Sequence, residues 1–144
     1  MSSLAFLCLG FGGMEIFSWF FHKYVMHGPL WCIHKTHHHV TKSFFELNDI
    51  FSFVFGAVAV VLIFSGIGSY NYRFWLGIGI SAYGLSYFIL HDILIHRRVK
   101  TSKKPVSRYF IGISKAHRSH HKTNKKKGAV SFGLLLVPKK YFRR

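Results

Sequence analysis

Two histidines five residues apart, followed by a His-x-x-His-His run, occur twice in this chain. The first copy is His22 and His27 with His34, His37 and His38. The second is His91 and His96 with His117, His120 and His121. Ten of the 11 histidines fall in the pattern, and His39 stands outside it. Imidazole is the commonest metal-binding side chain, and ligands cluster at short fixed spacings. One ion takes about four to six ligands, so ten imidazoles imply two metals. In His-x-x-His-His the rings three and four apart share a helical face, so each run is expected to aim at a common point. Histidines five apart stand ~140° around an ideal helix. Both such pairs close an apolar stretch, where the helix is expected to unwind.

The apolar stretches place this pattern at a membrane. Residues 4–21, 50–70 and 74–95 are almost free of charge, and crossing a bilayer takes ~20 apolar residues. No Lys or Arg precedes the first stretch and no small-residue cleavage site follows it, so it is expected to be a retained helix and not a signal peptide. Residues 129–137 are apolar but too short to cross, and are expected to be buried or interfacial. Cys8 and Cys32 form no CxxC motif, and no disulfide framework is expected.

The net charge of +16, from 20 Lys+Arg against 4 Asp+Glu, points to nucleic acid or to a membrane surface. Spans ahead of the basic tail favour the membrane and disfavour a nucleic-acid-binding protein. Three Lys lie in 22–49 and 16 Lys+Arg in 91–144, whereas the turn between the second and third stretches holds Arg73 alone. Positive loops stay cytoplasmic, so both histidine copies are expected at the cytoplasmic face. The basic runs Arg97-Arg98, Lys103-Lys104 and 125–127 are expected to hold anionic headgroups. The fold class expected is an all-α integral membrane protein of the inner (cytoplasmic) membrane. It has three to four transmembrane helices under a cytoplasmic His-rich di-metal cap, in a single domain, 1–144.

Hydrolytic zinc sites use an HExxH-type helix, which is absent, and soluble di-iron bundles use Glu and Glu-x-x-His ligands. With only Glu15, Glu46, Asp49 and Asp92 as acids, this chain would build its site from imidazole. A metal pair at a membrane surface suits oxygen activation on a lipid-soluble substrate, since acid–base groups cannot attack an unactivated C–H bond.

The histidine clusters, with Met26-His27-Gly28, Phe45-Glu46-Leu47-Asn48-Asp49, His91-Asp92-x-x-x-His96-Arg97 and Ala116-His117-Arg118-x-His120-His121, resemble the bacterial β-carotene hydroxylases. These belong to the fatty acid hydroxylase/sterol desaturase superfamily of membrane di-iron enzymes. The resemblance runs from Glu15 to about Pro138. It implies a monooxygenase that hydroxylates carbon 3 of the β-ring, carrying β-carotene through cryptoxanthin to zeaxanthin. It implies two non-haem irons held by the ten clustered histidines, O2 as co-substrate, a ferredoxin-type electron donor, and contact with carotenoid and membrane lipid. Fatty acyl or sterol hydroxylation or desaturation is the alternative within the superfamily, and a membrane metal-binding protein the alternative outside it.

Several readings stay open. Asn48, Asp49 and Asp92 are expected to orient imidazoles, with helix capping the alternative for the two aspartates. Glu15 is an acid inside a span, seven residues before His22; it could serve the site or pair with a polar group on another helix. The aromatics of the spans are expected mostly to face lipid or pack, not to form a substrate box.

Overall fold

The computed structural model describes residues 2–39, 43–99 and 107–143. These are helical, with no strand among the described residues: α1 Ser3–Phe20, α2 Trp31–His38, α3 Asp49–Gly66, α4 Tyr72–Tyr87 and α5 Arg108–His120. Three helices start on side-chain caps, which accept backbone N–H groups of the first turn. Ser2 accepts from Ala5, Asn71 from Arg73 and Ser107 from Phe110.

The expected unwinding does not occur. α1 continues into a π-helical segment, Phe21–Met26, and α4 into another, Phe88–Ile95. The His27 N–H donates to the His22 carbonyl at 3.0 Å, and the His96 N–H to the His91 carbonyl at 2.8 Å. Each five-residue histidine pair therefore spans one i→i+5 hydrogen bond. An unwound end at the edge of a bilayer would leave backbone groups unpaired, at a cost of several kcal/mol each. A widened turn keeps them paired and swings the second ring back toward the first.

Counted through these segments, three helices are long and apolar enough to cross a membrane: Ser3–Met26, Asp49–Gly66 and Tyr72–Ile95. α3 stops short of residue 70 because Gly66 packs on the start of α4, where a Cβ would press on the Phe74 backbone. The chain reverses over 67–71, with Tyr70 at φ 47°.

α4 packs against both other spans. Its Gly79 faces α1, where an added Cβ would strike the Leu7 carbonyl, Phe11 N and Gly10 Cα. Its Gly77 faces α3, where a Cβ would lie 2.8 Å from the Ala59 carbonyl and from Ile63. Small residues let backbones touch where lipid removes the hydrophobic drive between helices. Both crossings lie far from the histidines. Nearer the histidines the helices diverge and enclose a cavity of about 430 Å³. α2, α5 and the strap after α5 cap that end. Residues 129–137 form no helix; Leu134 is buried and Leu136 is exposed.

Gly79→Val should therefore destabilise the bundle by about 1–3 kcal/mol, the usual cost of overpacking. The thermal unfolding midpoint in detergent reads this directly, and an unchanged midpoint would contradict the close α1–α4 crossing.

Candidate metal centre

The ten clustered histidines converge beneath the cap, but not as each run suggested. His22, His27, His34, His38 and His120 form one group, and His37, His91, His96 and His117 another; within each group the candidate ligand nitrogens lie within 4.8 Å of one another. The His121 ring stands 4.4 to 4.9 Å from the rings of His38, His117, His37 and His96. Its Nε2 is buried without a hydrogen-bond partner among the described residues. Each His-x-x-His-His run is thus split. Its outer pair joins its own copy, and its middle histidine, His37 or His120, crosses to the other. Helix geometry explains this: the fourth residue on returns to within ~40° of the first, whereas adjacent residues point ~100° apart.

Seven rings have their Nδ1 committed. His22, His27, His38 and His120 donate to the backbone carbonyls of Phe132, Lys126, Thr123 and Val130 at 2.9 to 3.1 Å. His34 donates to Asn48 Oδ1 at 2.7 Å, His37 to Glu46 Oε2 at 2.9 Å and His91 to Asp92 Oδ1 at 2.8 Å. These acceptors fix the tautomer, leaving a bare lone pair on each Nε2. Yet Nε2 faces Nε2 at 3.0 Å in His22–His34, 3.1 Å in His27–His120, 3.2 Å in His34–His38 and 3.1 Å in His37–His91. Two lone pairs cannot bond each other; a cation between them resolves the contact. Nitrogens ~2.1 Å from one ion stand ~3.0 Å apart at right angles and ~3.4 Å apart in a tetrahedron. The observed spacing lies within the range that nitrogens sharing one ion adopt. With the orphaned His121 nitrogen, the residues fit two ions.

The neighbouring carboxylates divide unexpectedly. Asp49 touches no imidazole: it takes Arg98 at 2.8 and 2.9 Å and the Glu46 N–H at 3.0 Å. Arg98 in turn lies 3.2 Å from Glu46 and 3.6 Å from Asp92, so it braces the two acids beside the His37 group and does not reach for headgroups. Lys103-Lys104 lie outside the described residues. Glu15 also serves no imidazole directly. Its oxygens accept from the Leu135 and Leu136 N–H groups and the Tyr83 hydroxyl at 2.8 to 2.9 Å. It anchors the strap whose Phe132 carbonyl holds His22.

Sequence reasoning missed Glu46 as a histidine partner, although the residue stood in the quoted motif. It also missed the four carbonyls, because a backbone carbonyl has no residue signature. Ser131, at φ 61°, turns the strap between the Val130 and Phe132 carbonyls. The aromatics of the spans also do more than pack: Phe21, Phe51, Phe55, Tyr83, Tyr87 and Phe88 line the cavity. The Tyr87 hydroxyl lies 3.2 Å from His91 Nε2.

Burial keeps these rings neutral, and charge on neighbouring imidazoles adds to it. His34 and His120 are lowered to about 3, His38 and His96 to about 4, and His121 to about 2. In the unfolded chain they titrate near the ordinary 6.5, so below that pH the unfolded state binds more protons. Stability of the metal-free fold is then complete above pH ~6.5 and drains away as pH falls toward the folded values. Near-UV circular dichroism of chelated protein should show a lower melting midpoint at about pH 5 than at about pH 8. Equal midpoints would contradict the neutral, buried cluster.

The fatty acid hydroxylase family matches residues 7–138. The chain is 42% identical over 126 residues to a β-carotene hydroxylase of Pantoea ananas, covering 88% of this chain and 72% of that one. It is 38% identical to a β-carotene hydroxylase of Paracoccus sp. (strain PC1), over 87% of this chain and 78% of that one. It is 34% identical to a chloroplastic β-carotene 3-hydroxylase 2 of Arabidopsis thaliana, over 88% of this chain and 43% of that one. No solved structure matches. A doubled histidine cap on apolar spans, matched over nearly its whole length, makes the chain a member of the fatty acid hydroxylase family.

Proposed function

We propose that the chain is a single-domain, membrane-embedded carotenoid hydroxylase that acts at carbon 3 of the β-ring and carries β-carotene through cryptoxanthin to zeaxanthin. The observation that carries this reading is the pairing of two groups of lone-pair nitrogens with an apolar cavity that ends on them. His22, His34, His37, His91 and His117 are at once members of the groups and part of the cavity wall. The named activity of the bacterial relatives supplies the substrate class.

In this reading His22, His27, His34, His38 and His120 hold one iron, and His37, His91, His96, His117 and His121 hold the other. Bound iron, with O2 and electrons from a ferredoxin-type donor, supplies the redox chemistry that an unactivated C–H bond requires. The protein's part is positional. The Nδ1 acceptors fix each ring, and the walls from the three spans exclude water and hold the ring of the substrate against the histidine end. A cavity of about 430 Å³ admits one end ring with a short length of polyene. The two rings are then hydroxylated in separate visits, and the monohydroxylated product comes first. The charge asymmetry supports an orientation with the histidine cap on the cytoplasmic side of the inner membrane. A reporter active only outside the cytoplasm should work when fused near Asn71 and stay silent after Lys122; activity at both points would overturn that orientation.

The test of function is expression in cells that accumulate β-carotene, with pigments extracted under air and under nitrogen. The expected products, under air alone, carry one and then two added oxygen atoms. His120→Ala should abolish them and remove about half of the bound iron, because its ring serves one group alone. Unchanged β-carotene beside iron-loaded wild-type protein and a competent donor would reject the carotenoid reading. A hydroxylated acyl lipid in that extract would favour the activity for which the family is named.

A further inference from the structure

The wall of the cavity is not equally closed on its three sides. Met14 and Ser18 of α1 and Phe21 of its π-helical continuation line it and are half-buried. α3 and α4 lend buried Phe51, Ala59 and Tyr83 to the same cavity, but also exposed residues: Ser52, Gly56 and Val60 of α3, and Ser81 and Gly84 of α4 with Phe88 of its π-helical continuation. Each exposed trio follows helical spacing, so each forms one stripe on its helix. The gap between α1 and α3 is barred by rings: Phe17 meets Phe55 at 5.6 Å, and Phe21 meets Phe51 and Phe55 at 5.5 and 5.4 Å. The opening therefore lies between α3 and α4, on the flank of the bundle and within the apolar spans.

Two glycines sit in that opening. A Cβ added to Gly56 or Gly84 would meet nothing within 4 Å, unlike those at Gly10, Gly77 and Gly79, which touch a neighbouring helix. Glycine inside a helix weakens it relative to alanine, and at the crossings close packing accounts for it. At Gly56 and Gly84 no protein atom does, as at Gly12, but these two stand on the cavity wall, where close approach of a ligand to backbone is the other use of glycine.

We infer that substrate enters sideways from the bilayer between α3 and α4, and that Gly56 and Gly84 keep this mouth open for the polyene. The inference rests on the carotenoid reading for its occupant. A whole carotene exceeds a cavity of about 430 Å³, so the chain behind the bound ring must run out through an opening, and this one faces apolar surroundings.

The test is a size series at both glycines, Gly84→Ala, Leu and Trp and Gly56→Ala, Leu and Trp, in β-carotene-accumulating cells. Gly12→Trp serves as control: Gly12 is equally open, exposed, and absent from the cavity wall. Conversion should fall with side-chain size, by about tenfold or more at Trp, while protein yield and bound metal stay at wild-type levels. The control should convert normally. If a Trp variant fails to insert, the Ala and Leu members carry the comparison. Normal conversion by well-expressed Leu or Trp variants of both glycines would refute the mouth and leave the carotenoid reading standing, as would an equal loss in the control. Failure of the wild type itself to convert β-carotene would instead remove the carotenoid reading, and the proposed occupant with it.

Discussion

Imidazole lone pairs that face one another at 3.0 to 3.2 Å repel, and much of this structure exists to make them do so. The Nδ1 acceptors force the issue by taking the only proton a neutral ring carries. Both π-helical segments, the split of each His-x-x-His-His run and the strap after α5 serve the same convergence. A cation turns that repulsion into binding, and metal affinity is then also folding free energy.

The two groups are built from different partners. Four rings of the His120 group lean on backbone carbonyls, and the fifth on an amide oxygen. Two rings of the His37 group lean on carboxylates, which Arg98 ties together with Asp49. A charged acceptor polarises an imidazole more than a carbonyl does, and so makes it the more basic ligand. The two positions are thus electronically unequal, although they come from a repeated motif.

The spans solve an opposite problem at their two ends. Far from the histidines, Gly10, Gly77 and Gly79 bring backbones into contact and hold the bundle where lipid gives no hydrophobic drive. Near the histidines the same helices part, which creates room beside the nitrogens and an unsealed flank. Glu15 links the two regions. It is buried at 4% exposure, binds Tyr83 on α4 and fastens the strap that orients His22. An acid within a span is stable there because three donors meet it.

Composition and spacing alone determined that the chain is helical, that three stretches can cross a bilayer, and that ten histidines form a doubled set. Those properties depend on local chemistry: apolar length, charge and side-chain identity. Tertiary structure decided the rest. Whether His37 joins His34 or His91 depends on where α4 stands relative to α2, and adjacent residues on one helix necessarily point apart. Asp49 and Glu15 look like histidine partners by their neighbourhood in the chain, yet Arg98 and the Leu135 and Leu136 amides, far away in sequence, claim them. The carbonyls of Thr123, Lys126, Val130 and Phe132 could not be read at all, because every residue carries a carbonyl and only the path of the backbone says where it points.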